Sequence, residues 1–82
     1  MTYVKINADF TDEGFMEPRS LAFHGKEYPI TQLLDARYLP QEDAEKLFPG
    51  EGKTVYQFKI RIARQEKSLY YEPEAGRWFV DG

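Results

Sequence analysis

Thr54-Val55-Tyr56-Gln57-Phe58-Lys59-Ile60-Arg61-Ile62-Ala63-Arg64, then Lys67-Ser68-Leu69-Tyr70-Tyr71-Glu72, then Arg77-Trp78-Phe79-Val80: these three runs decide the fold. In Tyr56–Ile62 apolar and polar residues alternate, the signature of a strand with one buried and one wet face. Leu69 and Tyr71 continue the apolar face on the second run. Placing Gln65 and Glu66 at the first turn sets Ile62 opposite Leu69, Arg61 opposite Tyr70, Ile60 opposite Tyr71 and Lys59 opposite Glu72. Pro73-Glu74-Ala75-Gly76 makes the second turn, with proline early and glycine at a left-handed position. That loop sets Glu72 opposite Arg77, Tyr71 opposite Trp78, Tyr70 opposite Phe79 and Leu69 opposite Val80. The predicted inner face is therefore Phe58, Ile60, Ile62, Leu69, Tyr71, Trp78 and Val80. The outer face carries two rows, Lys59-Glu72-Arg77 and Arg61-Tyr70-Phe79.

Working outward, residues 2–10 alternate as a first strand, with Val4, Ile6, Ala8 and Phe10 on one face. Thr11-Asp12-Glu13-Gly14 signals a turn. Phe15-Met16-Glu17-Pro18 is ambiguous, because Pro18 cannot fill a central ladder position. Ser20–His24 and Glu27–Ile30 read as a hairpin about Gly25-Lys26, with Phe23 opposite Tyr28 and Leu21 opposite Ile30. Turning at His24-Gly25 would instead oppose Phe23 to Lys26, a poorer pair. Thr31–Leu39 continues as a strand, and the adjacent Leu33 and Leu34 break its alternation, which predicts a bulge near Gln32. Leu34, Ala36 and Tyr38 then share a face. Pro40–Gly50 holds the one helix, with acidic residues leading and Lys46 trailing; it is short enough to need packing by Leu47 and Phe48.

The 82 residues make one domain with a small core, and 16% of the chain is aromatic, so a few rings fill much of that core. Five or six antiparallel strands in so short a chain predict an all-β fold, a small, bent, partly open SH3-like barrel. The alternative is an OB-like barrel, which also carries a short helix between its third and fourth strands. The chain has no cysteine, so disulfides and thiolate chemistry within it are excluded. No apolar run is long enough to span a membrane. Met1–Lys5 has no basic start or apolar stretch of a signal peptide. These features predict a cytoplasmic protein with no cofactor and no metal. A net charge of −3 disfavours nucleic acid as a bulk electrostatic partner.

Gly25-Lys26-Glu27-Tyr28, Leu34-Asp35-Ala36-Arg37, Tyr56–Ile62, Leu69-Tyr70-Tyr71-Glu72 and above all Gly76-Arg77-Trp78-Phe79-Val80 resemble a family of short bacterial proteins with no assigned function. The resemblance covers most of the chain after Asp9 and is weakest across residues 40–52, where Gln41–Phe48 reads as an insertion. It implies a bacterial, cytoplasmic, stand-alone domain. It supplies no activity, so no catalytic residue is carried over.

No chemical motif stands out from its bland reading. His24 is the only histidine and falls at a hairpin tip, with Ser20 and Glu27 nearby; a turn residue needs no catalytic reason. Asp9, Asp12 and Glu13 lack a calcium-loop pattern and read as a solvated turn. Gly50-Glu51-Gly52-Lys53 lacks the phosphate-loop spacing. Carboxylate chemistry through Asp35, beside Arg37, and Glu27 has only a bent strand to recommend it. The outer face of the three-run sheet is more informative. Lys59, Arg61, Tyr70, Arg77 and Phe79 could form a partner surface, because small barrels hold extended peptides or single-stranded bases on aromatic rows. The blander account covers Tyr70 and Phe79 with the first strand, Phe15-Met16 or the short helix, since phenylalanine is seldom left exposed. The sequence thus predicts a non-enzymatic protein-interaction module, with another protein or a second copy as partner. A single-stranded nucleic-acid binder is the alternative.

Overall fold

The computed structural model describes residues 2–12 and 16–81. The chain runs β1 (Thr2–Phe10), β2 (Met16–Phe23), β3 (Lys26–Tyr38), α1 (Gln41–Leu47), β4 (Tyr56–Ile62), β5 (Gln65–Glu72) and β6 (Arg77–Val80). Each strand pairs antiparallel with the next, and β6 returns to β1, so the ring closes. This is the small antiparallel barrel that alternation predicts, but closed where the sequence suggests a partly open one, because β6 pairs with β1. Its next-neighbour order is a meander, not the Greek key of an OB-like barrel, and that alternative falls.

The inner face is as expected. Phe58, Ile60, Ile62, Leu69 and Trp78 are buried with Leu21, and Tyr71 and Val80 pack against them half-buried. β1 contributes Val4, Ile6 and Ala8 to this core. Phe10 shares their alternation but ends 71% exposed. The β5–β6 register is also as expected, from Leu69 opposite Val80 to Glu72 opposite Arg77. Gly76 closes that loop at φ 63°, a conformation that glycine reaches without a Cβ penalty.

Two turns fall earlier in the chain than the sequence suggests. β4 and β5 turn at Ala63-Arg64, both at positive φ, 49° and 65°. Ile62 therefore faces Gln65, Phe58 faces Leu69 and Gln57 faces Tyr70. Two positive-φ residues in a two-residue loop match the natural twist of a hairpin. Ala-Arg carries no Asn-Gly signal, so the sequence places the turn too late. The displacement is an even number of residues, which leaves every side chain on its expected face.

β2 and β3 likewise turn at His24-Gly25, φ 50° and 76°, with Phe23 opposite Lys26 and Leu21 opposite Tyr28. Histidine tolerates the left-handed region better than most residues, and glycine freely. Ladder alternation from that closing pair puts Ser20 and Pro29 in a non-hydrogen-bonded pair, so the missing proline N–H costs β2 nothing.

Bulges shape the rest. Arg19 is the extra residue where β2 passes Asn7 and Ala8, and among the described residues β2 has no partner on its other side before Ser20. Pro18 is accommodated there, as proline is at bulges and edges. β3 has two extra residues, Thr31 and Leu34, one on each side of the predicted Gln32. The second bulge moves Leu34 out of the expected set, and Leu33 joins Ala36 and Tyr38 on the inner side.

Candidate functional site

The sequence-predicted partner surface is not an open face. Tyr70 and Phe79 are 5% and 0% exposed. The chain from Leu39 to Val55 folds over them and forms a second core outside the barrel, with Leu39, Ala44, Phe48 and Val55. Glu42 and Asp43 in the first turn of α1 and Lys46 in its last suit the helix dipole, as the sequence suggests. Phe79 is edge-on to Phe48 at 4.8 Å and stacked with Tyr70 at 5.4 Å. A strand predicted to begin at Thr54 begins at Tyr56, because Val55 belongs to this cover and its carbonyl accepts a hydrogen bond from the Leu39 amide.

The basic members of that surface are separated by the earlier turn. Arg61 pairs with Glu66 at 3.1 Å, and Lys59 lies opposite Ser68. Arg77 sits 3.8 Å from Glu72 and over the Tyr3 ring. Glu72 is buried, and its closest cation is Lys53, at 3.3 and 3.4 Å from its two oxygens. Burial works to lower the Lys53 pKa, but the hydrogen bond and charge of Glu72, with the charge of Glu51, outweigh it and hold the ammonium above its ordinary 10.5. Lys53 also covers the Phe48 ring at 4.6 Å, so it fastens the cover to the barrel. Sequence reasoning missed it, because Lys53 lies in a glycine-flanked loop with no periodicity.

The other candidates resolve simply. His24 stacks on Phe23 at 4.0 Å and stays at its turn. The Ser20 hydroxyl donates to Glu27 at 2.7 Å, and the Asn7 amide donates to both, making an exposed polar row across three strands. Asp9 pairs with Arg19 at 3.1 Å; Glu13 lies outside the described residues. Among the described residues no three histidine or carboxylate side chains gather as a metal-holding group. No helix among them is long and apolar enough to cross a membrane.

An open cleft of about 680 Å³ lies at one end of the barrel. It exists because β2 and β3 pair only from Ser20–Phe23 to Lys26–Pro29. β3 then follows β4 instead, from Ile30 to Tyr38, while β2 stays with β1. The two hairpins separate and the inner face between them is left uncovered. Phe10 and Met16 line one wall; Leu33, Ala36, Tyr38 and Tyr56 line the other; Phe58 and Tyr71 form the floor. Phe10, Tyr38 and Tyr56 are all exposed, and the two tyrosine rings meet edge-on at 5.4 Å. Glu17 and Arg37 supply polar groups at the rim, and Arg37 donates to Gln57 at 2.9 Å. Neither Asp35 nor Glu27 lines the cleft.

Along this cleft β3 has an unpaired edge. From Thr31 to Tyr38 its only ladder partner among the described residues is β4. A wide apolar opening bordered by unspent backbone donors and acceptors suits an extended chain. Comparison with protein-family models, curated proteins and solved structures finds no match, so the reading rests on this geometry.

Proposed function

We propose that the chain is a non-catalytic interaction module that takes an extended protein segment along the free edge of β3. The observation that supports this is the coincidence of that edge with the cleft. Main-chain groups of β3 supply affinity, and Leu33, Ala36, Tyr38 and Phe10 receive alternate side chains of the bound segment. The nucleic-acid alternative loses its main support, because the Tyr70-Phe79 stacking row is covered.

The test is amide mapping of the isotope-labelled chain against a short capped peptide alternating valine and threonine, and against the same peptide interrupted by proline. The expected result is a set of shifts at Gln32–Tyr38 and around Phe10 with the first peptide and none with the second. Shifts elsewhere, or none at millimolar peptide, overturn the reading. A mixed single-stranded oligonucleotide run in parallel should leave the same amides unmoved; movement there favours the alternative.

A further inference from the structure

We infer that the segment bound at this edge is β3 of a second copy of the chain, paired antiparallel about a twofold axis at Ala36. The inference rests on the interaction reading above and names the partner.

The two-residue turn at Ala63-Arg64 makes Ile62–Gln65 the hydrogen-bonded closing pair of β4 and β5. Alternation along β4 then points the N–H and C=O of Gln57, Lys59 and Arg61 toward β3. The bond from the Leu39 amide to the Val55 carbonyl has the same phase. Asp35 and Arg37 therefore spend their backbone groups on Lys59 and Gln57, and Ala36 and Tyr38 direct theirs outward. The bulges at Thr31 and Leu34 disrupt the earlier part of the edge, so Asp35–Tyr38 is the regular stretch open to pairing.

This stretch is complementary to itself. With Ala36 opposite Ala36 of the second copy, the outward backbone groups of the two alanines bond reciprocally. Asp35 stands opposite Arg37 of the second copy, and Arg37 opposite Asp35. Moving the register by one residue pair in either direction opposes two aspartates or two arginines, which is unfavourable. Asp35 makes no ion pair or side-chain hydrogen bond among the described residues, and Arg37 has no carboxylate partner there, so both charges are available. The small side chain at the axis admits close approach. Such a contact is isologous and closes at two copies.

Sedimentation of the full chain over a concentration series tests this. The expected wild-type result is a mass that rises from one copy toward two. Asp35→Arg and Arg37→Glu each place like charges opposite in both pairs, and each should weaken association about tenfold or more. Mixing the two variants one to one sets opposite charges at both pairs and should restore association, as should the double variant. Ala36→Pro removes only an outward N–H, leaves the β4 ladder intact and should abolish dimerisation; circular dichroism and amide spectra confirm each fold. A wild-type mass fixed at one copy up to millimolar concentration, or single variants that associate undiminished, overturns the inference. A monomeric chain that still shows peptide-induced shifts at Gln32–Tyr38 refutes the dimer and leaves the interaction reading standing; loss of both refutes both.

Discussion

Phe79 touches aromatic rings on three sides, Phe48, Tyr70 and, edge-on at 5.8 Å, Tyr3. Its neighbour Trp78 faces the barrel interior against Phe58 and Tyr71. Two consecutive residues thus serve two different cores. Phe79→Ala should cost about 3–5 kcal/mol, a large share of the roughly 5–15 kcal/mol available to a domain, and should show as a collapse of the urea midpoint. Phe10→Ser, at an exposed position, should stay within about 0.5 kcal/mol. Lys53 adds a pH dependence. A group whose pKa is raised on folding stabilises the fold fully below its unfolded value and loses that contribution as pH rises through the folded one. Lys53→Met should cost about 1.5–3 kcal/mol at neutral pH, because the buried Glu72 carboxylate loses its closest donor. The difference from wild type should narrow as pH passes about 10.5, followed by urea denaturation at stepped pH. A difference that persists unchanged into strong alkali would assign the effect to packing on Phe48 instead.

At the scale of elements, the two tight turns separate what the sequence reveals from what it conceals. Faces were legible: alternation in Tyr56–Ile62 placed Phe58, Ile60 and Ile62 inside, and they are inside. Register in the β4–β5 hairpin was not, because it depends on which two residues accept positive φ, and Ala63-Arg64 carry no residue that favours it. The β5–β6 register was legible, since Pro73 and Gly76 mark that loop chemically. Left-handed backbone costs an ordinary side chain roughly 1–2 kcal/mol. Replacing Ala63-Arg64 by Asn-Gly should therefore stabilise the domain by about 1 kcal/mol. That corresponds to a rise of about 4–8 °C in Tm, read by calorimetry. An unchanged or lower Tm would mean that the turn is not the two-residue form.

For the whole molecule, what matters is where the ring is weakly sewn. The β1–β2 hairpin joins the other strands through two short seams, Thr2–Val4 against Trp78–Val80 and Ser20–Phe23 against Lys26–Pro29. The β3–β4 and β4–β5 seams run nearly the full length of β4. The cleft lies where the short β2–β3 seam ends. No local pattern announces it, because it depends on which of two neighbours each strand follows, a choice made between residues distant in sequence. The Leu33-Leu34 doubling gave the one hint, a bulge on the strand that leaves. Partial opening follows the weakest seams first, since local stability tracks buried apolar contact and ladder length. Hydrogen exchange on the dilute chain should find the slowest amides in β4 and β5, about Phe58, Ile60 and Leu69. The outward amides of Ala36 and Tyr38 should exchange far faster than those of Asp35 and Arg37 beside them. That alternation in adjacent residues is specific to a strand paired on one side. Equal protection across Asp35–Tyr38 at low concentration would show the edge already covered from within the chain, and the cleft would then be closed to any partner.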